Sequence, residues 1–310
     1  MPKVSAPGSV FLFGEHAVVY GYPAVVASIN RGITVRAETN QRKVLQINSD
    51  LGTLRADVQH LPKGGRLSYV VEAVKQVFEH LGERRGVNLE ITSQLPPASG
   101  LGTSSAVCAA TVGAVAEAME KRLTEEEVVE LAFRSELAVQ KLASRAGVSA
   151  AVLGGFLLLE GKKRRRMKSG QLPAVVGWSG LPSATARMVQ LVRKEKEKRP
   201  QLFDTLFRFM GEVTTQGARC LERGELERVG ILMDLNHSLL SALHIVPPRI
   251  EKMVRVAREA GALGAKMTGA GGGGCMLALV RERERVVRAL QKAGAQAFPV
   301  RLGGEGLRFS

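Results

Sequence analysis

Apolar and polar positions alternate in short runs over the first fifty residues. Residues 10–13, 24–29, 33–38 and 44–48 are rich in β-branched or apolar side chains and are divided by Gly, Pro and Asn, which predicts four strands. The period then changes. Val70, Val71, Val74, Val77, Phe78 and Leu81 fall on one face of a helix over residues 68–81, with Gly82 placed to cap it. Residues 87–92 alternate again as a strand and lead into the turn Pro96 to Ala106, so that turn is a strand-to-helix junction. The helix beyond Gly102 carries Ala106, Ala109, Ala110, Gly113, Ala114 and Ala116, small enough to predict burial between neighbours. Thr124 and Glu127 form a capping box opening a helix to about Leu142, and residues 154–160 predict a strand. In the second half the pattern predicts strands at 173–178, 186–192 and 275–280, and helices near 202–217, 226–243 and 249–260.

Composition adds the scale. With 310 residues, 45% hydrophobic and only 5% aromatic, the chain is expected to form two domains with cores of Val, Leu, Ala and Ile. The boundary is placed at a basic stretch, giving 1–168 and 169–310, with Lys162 to Arg166 read as a link. Cys108, Cys220 and Cys275 are odd in number and have no metal-ligand spacing, which argues against a disulfide framework or zinc and fits a reducing cytoplasm. No apolar run reaches the length of a bilayer span and no secretory leader is recognised, so a cytoplasmic location without a membrane partner is expected. The net charge of +15 is the usual footprint of a nucleic-acid partner. However, the basic run has no interleaved aromatics for base stacking, and anionic small substrates account for part of the same bias.

Pro96 to Ala106, P-P-A-S-G-L-G-T-S-S-A, carries the clearest chemistry. Gly100 and Gly102 let the backbone wrap closely around an anion, and the helix that follows aims its unpaired N–H groups and positive dipole end at the same place. A capped helix after a Pro-Pro turn is the plainer explanation of the same residues. Two further glycine-bearing segments share this character: Ser5-Ala6-Pro7-Gly8 leading to Gly14-Glu15-His16, and Lys266-Met267-Thr268 followed by Gly269 to Cys275. Together, in order and spacing, the three resemble the motifs of the GHMP kinase superfamily, and G-E-H-A-V-V-Y-G at Gly14 to Gly21 resembles the mevalonate kinases within it.

The resemblance implies an α+β, two-domain GHMP kinase fold: an N-terminal domain like ribosomal S5 domain 2 and a C-terminal ferredoxin-like α/β sandwich. It implies ATP and Mg²⁺ as cofactors and mevalonate as the acceptor, phosphorylated on its 5-hydroxyl for isoprenoid precursor synthesis. It also leaves room for a homodimer. Pro97, Ser99, Gly100, Leu101, Gly102, Thr103 and Ser104 match the loop that wraps the ATP phosphates, and Ser104 with Glu136 matches the metal site. From its own context Glu136 reads as an ordinary exposed helix glutamate. Glu15 and His16 match residues facing mevalonate, and Thr268 and Gly269 match the loop that shapes the acceptor pocket. Asn236 and His237 lie in a stretch similar to the family's helix near that pocket, with packing and polarity as their expected role.

Two positions depart from the family pattern. Mevalonate kinases normally carry lysine after A-P-G, offering charge to the transferring phosphoryl group, where this chain has Ser9. They also carry an aspartate in a short A-S-x-x-D loop that orients or accepts the acceptor's proton, where this chain has Gly147. Serine brings no charge and glycine no side chain. The paired loss is coherent, since removing one member alone strands a buried charge. Arg145 is a candidate for charge in place of the lysine, against the plainer reading of a solvated loop arginine. The alternatives are an ATP- and mevalonate-binding protein with little turnover, a kinase for a different small alcohol, and a nucleic-acid-binding protein.

Overall fold

In a computed structural model describing residues 1–141, 144–161 and 163–310, the chain forms a mixed sheet covered by helices. Its elements run β1 (Lys3–Phe13), β2 (Ala24–Asn40), β3 (Val44–Ser49), β4 (Gly52–Asp57), α1 (Ser68–Leu81), β5 (Gly86–Ser93), α2 (Thr103–Ala118), α3 (Glu125–Gln140), α4 (Arg145–Leu153), β6 (Phe156–Glu160) and β7 (Lys163–Arg166). They continue with β8 (Leu172–Trp178), α5 (Thr185–Lys198), α6 (Pro200–Arg223), α7 (Leu226–Ala242), α8 (Pro248–Glu259), β9 (Gly264–Thr268), β10 (Cys275–Leu279), α9 (Arg283–Lys292), β11 (Gln296–Leu302) and β12 (Arg308–Phe309).

The strand order is β4-β3-β5-β2-β11-β8-β10-β9, with β1 and β6 also paired to β2. One residue pair, Leu302 with Ile29, joins β11 to β2 and so carries the sheet from the first half into the second. The last residues return to the first half: β12 pairs with β1, and Ser310 N donates to Lys3 O at 2.9 Å. Helix α2 is buried along nearly its whole length because its small side chains let strands and helices approach from every side, as expected from its composition. The Thr124–Glu127 capping box forms, and Gly82 ends α1 in the left-handed region at φ 66°.

The strands expected separately at 24–29 and 33–38 run on as the one long strand β2, and β4, β9, α9, β11 and β12 carry no pattern that announced them. Three further regions differ in kind from the sequence expectation. Residues 186–192, expected as a strand, lie in α5; only Met188 and Val192 of this stretch are buried, four apart, so one helical face suffices to cover the core. Of the segment matching the A-S-x-x-D loop, Ser144 stands at the N-cap and Arg145 to Gly147 open α4, leaving Gly147 on a helix; Ala143, and Leu142 before it, fall outside the described residues. The basic run is a strand and not a link. β7 pairs with β6 from Leu157↔Arg166 to Glu160↔Lys163, which blunts that edge with charge, while Lys162 falls outside the described residues. Arg164 pairs with Glu126, Arg165 with Glu222 at 2.5 Å and Arg166 with Glu125 at 3.0 Å, so carboxylates of α3 and α6 meet this charge locally. Among the described residues no helix is long and apolar enough to cross a membrane.

Candidate functional site

The three glycine-bearing segments, up to about 260 residues apart in sequence, meet at the N-terminus of α2. Ser9 N donates to Leu101 O at 2.8 Å, tying the first segment to the phosphate-type turn. Phe11 N donates to Thr268 Oγ1 at 2.9 Å, and Thr268 Oγ1 donates back to Phe11 O at 3.2 Å, tying the first segment to the third. The glycine loop after Thr268 closes onto the turn from the other side. Gly274 sits at φ 82°, and a Cβ there would lie 2.8 Å from Ser99 O; one on Gly269 would lie 3.3 Å from Gly100 O. Only glycine tolerates both the backbone angle and this approach.

At the turn, Gly102 precedes α2 at φ 66°, and Ser9 Oγ stands 2.3 Å from where its Cβ would be. The helix therefore begins against the first segment, its first N–H groups without intrahelical partners. Ser99 Oγ and Thr103 Oγ1 are buried with no hydrogen-bond partner in the protein. Leu101 is fully buried and anchors the turn, while Pro97 is on its exposed side. Orphaned hydroxyls beside free helix N–H groups are what an oxyanion ligand satisfies.

Ser104 and Glu136, the two residues expected at a metal, lie together: Ser104 Oγ donates to Glu136 Oε1 at 2.5 Å. Ser105 Oγ donates to the other oxygen, Oε2, at 3.0 Å, and Gln140 Nε2 donates to Ser104 Oγ at 3.4 Å. Glu136 is 5% exposed, against the ordinary surface glutamate that its helix context suggests. Burial pushes its carboxyl up, opposed by the two serine hydroxyls. Among the described residues no three His, Cys, Asp or Glu cluster as a protein-only metal cage would require. A single carboxylate and a hydroxyl next to a phosphate cradle suit Mg²⁺, which takes its remaining ligands from phosphate and water.

Glu15 and His16 are differently engaged. Glu15 Oε1 pairs with Lys266 Nζ, and Oε2 accepts from Asn236 Nδ2 at 3.1 Å. Lys266 is fully buried, and its ammonium also donates to Met267 O at 2.6 Å and Phe11 O at 3.4 Å, which accounts for its three protons. Burial pushes the Glu15 carboxyl up and the Lys266 ammonium down, each opposed by the attraction of the other. His16 adopts φ 61° and donates from Nε2 to Ala270 O at 2.9 Å, with burial lowering its pKa, so its one donor is spent inside the protein. Next along α7, His237 accepts from Met267 N at 3.2 Å on Nδ1 and faces Glu251 with Nε2 at 3.0 Å. Arg145 is paired with Glu130 at 2.6 Å and lies 4.4 Å over the Phe133 ring, held along α3.

Sequence reasoning assigned no role to Lys266, Gln140 or Ser105. A lysine inside an otherwise apolar strand is a readable signal for Lys266. Nothing local marks Ser105.

Ser9 and Gly147 are neighbours in space: a Cβ on Gly147 would lie 3.8 Å from Ser9 Oγ. The two departures thus concern one place. Family models for the GHMP kinases N terminal domain and the GHMP kinases C terminal domain match residues 68–155 and 218–297. The chain is 37% identical over 322 residues to a mevalonate kinase of Thermococcus sibiricus, covering 98% of this chain and 97% of that one. The chain belongs to the mevalonate kinase family of GHMP kinases. A second member, from Thermococcus gammatolerans, is 38% identical over 323 residues with the same coverage. The Methanococcus jannaschii mevalonate kinase superposes with a TM-score of 0.87 at 28% identity over 98% of each chain. The L. major enzyme in complex with R-mevalonate gives 0.84 at 28% identity, covering 98% of this chain and 96% of that one. The two-domain GHMP kinase fold expected from the motifs is therefore the fold observed.

Proposed function

We propose that this protein transfers the γ-phosphoryl group of ATP to the 5-hydroxyl of mevalonate in the presence of Mg²⁺. The observation that carries the reading is the contact of Ser104 with Glu136 at the opening of α2, beside the unpartnered hydroxyls of Ser99 and Thr103. The backbone of Gly100 to Ser104 would cradle the phosphates, and Ser104 and Glu136 would hold the metal. The chemistry a Mg²⁺ ion would supply there is neutralisation of phosphate charge. The Glu15–Lys266–Asn236 cluster ties the first segment to the third and to α7 beside this cradle.

Transfer then proceeds by positioning. The acceptor oxygen forms its bond to phosphorus as the bond to the ADP oxygen breaks, through a loose transition state, and with no protein base at position 147 the hydroxyl proton passes to a phosphoryl oxygen or to water. Ser9 and Gly147 favour a second reading, a nucleotide- and mevalonate-binding protein with little turnover, because neither supplies charge where transfer occurs. Phosphomevalonate formation from ATP, Mg²⁺ and mevalonate separates the two. Titration with a non-hydrolysable ATP analogue and Mg²⁺ tests the site itself, and Ser104→Ala and Glu136→Ala should each weaken binding about tenfold or more. Unchanged affinity and metal dependence in both would remove the placement of the metal.

A further inference from the structure

The space beside Gly147 is occupied by Ser105. Gly147 stands in the first turn of α4, outside the left-handed backbone region, so its conformation accepts any ordinary residue. The nearest atoms to a Cβ built there are Ser105 Oγ at 2.4 Å and Ser105 Cβ at 3.2 Å, with Ser9 Oγ next at 3.8 Å. The first distance is far inside van der Waals contact. That same Ser105 hydroxyl is occupied, donating to Glu136 Oε2 at 3.0 Å in a buried setting. A side chain at 147 must therefore push Ser105 off Glu136 or displace α4 from α2.

We propose that Ser105 is a positioning residue of the phosphoryl-transfer site: its hydroxyl takes the room left by the side chain absent at Gly147 and holds the second oxygen of Glu136, making positions 105 and 147 one steric unit. The inference deepens the kinase reading above and rests on it for the role of Glu136. With Ser104 on one carboxylate oxygen and Ser105 on the other, Glu136 has a fixed plane before any ligand arrives. Loss of the Ser105 contact leaves the carboxylate free to turn, and the cost falls on metal-dependent nucleotide binding.

A double-mutant cycle tests this, with Ser105→Ala, Gly147→Ala and the pair, followed by thermal midpoint and by calorimetric affinity for a non-hydrolysable ATP analogue across a Mg²⁺ series. The sign of the Gly147→Ala effect is decisive. In an open helical position, alanine in place of glycine stabilises. Here Gly147→Ala should lower the midpoint and weaken analogue binding about tenfold. Ser105→Ala should lower the midpoint less than Gly147→Ala does, since it unpairs one Glu136 oxygen without forcing helices apart, yet need several-fold more Mg²⁺ for half-saturation, a shift that a purely structural serine would not produce. The pair should regain most of the midpoint lost in Gly147→Ala, since the hydroxyl is gone and only the Ser105 Cβ, 3.2 Å from the new one, remains in the way. A stabilised Gly147→Ala with unchanged affinity, an unmoved Mg²⁺ midpoint in Ser105→Ala, or additive effects in the pair would each overturn the proposal. Absence of phosphomevalonate formation by the parent is a separate result: it removes the kinase reading and leaves the nucleotide cycle readable.

Discussion

The two sides of the site are unequally equipped. On the nucleotide side, two glycines, two orphaned hydroxyls and the Ser104–Glu136 contact stand complete before any ligand is present. On the transfer side, where the family resemblance places a lysine and an aspartate, the chain has Ser9 and Gly147, with Ser105 filling the gap. The difference teaches that binding and chemistry are separable in this fold. A phosphate cradle is made of backbone and helix ends and survives loss of charged side chains, whereas charge stabilisation at the moving phosphoryl group does not.

The sharpest way to break the comparison is to rebuild the transfer side. Ser9→Lys with Gly147→Asp should gain little while Ser105 remains, because the new side chain at 147 meets its hydroxyl. Adding Ser105→Ala should raise the rate of phosphomevalonate formation by about 10²–10⁴-fold, the usual worth of a placed proton acceptor. A parent rate already at about 1–100 per second would erase the contrast, showing that positioning and Mg²⁺ carry the reaction unaided.

Glu15 sharpens the boundary between the sides. Its carboxylate is committed to Lys266 and Asn236, so Glu15→Ala strands a buried ammonium and should cost about 3–5 kcal/mol of stability. The pair Glu15→Gln and Lys266→Met should recover most of that loss. Denaturant titration reads both. If Glu15 instead serves only the acceptor, stability stays and the KM for mevalonate rises alone.

The smallest effect is in pH. Burial holds the His16 and His237 pKa values below the ordinary 6.5, so below that pH the unfolded chain takes up protons that the folded chain refuses. Stability from these groups is complete above 6.5 and is lost as pH falls toward their folded values, by at most about 1.4 kcal/mol per pH unit for each. The raised carboxyls of Glu15 and Glu136 act in the opposite sense, gaining stability as pH falls toward their ordinary range. Comparing the parent with His237→Gln between about pH 7.5 and 5.5 cancels the carboxylates, and the variant should show the shallower slope. Equal slopes would mean that His237 titrates normally.

Much of this was legible in the sequence because it is local. The 3.6-residue spacing of α1, the Thr124–Glu127 box, the small residues of α2 and the glycines around Ser104 each state their structure within a window of a dozen residues. The chain order and spacing of the three motifs also gave the family, and with it the fold. Locally ambiguous stretches were decided by packing. Residues 186–192 carry apolar side chains at both strand and helix spacing, and the core below Met188 and Val192 selected the helix. The basic run became an edge strand because β6 offered pairing partners and Glu125, Glu126 and Glu222 lay within reach. Ser9 and Gly147 are visible as departures in sequence alone. That Ser105 stands in the emptied space, and that Lys266 reaches across 251 positions to Glu15, depends on how β1, α2, α4 and β9 come together, since contacts between distant segments leave no periodic trace in either one.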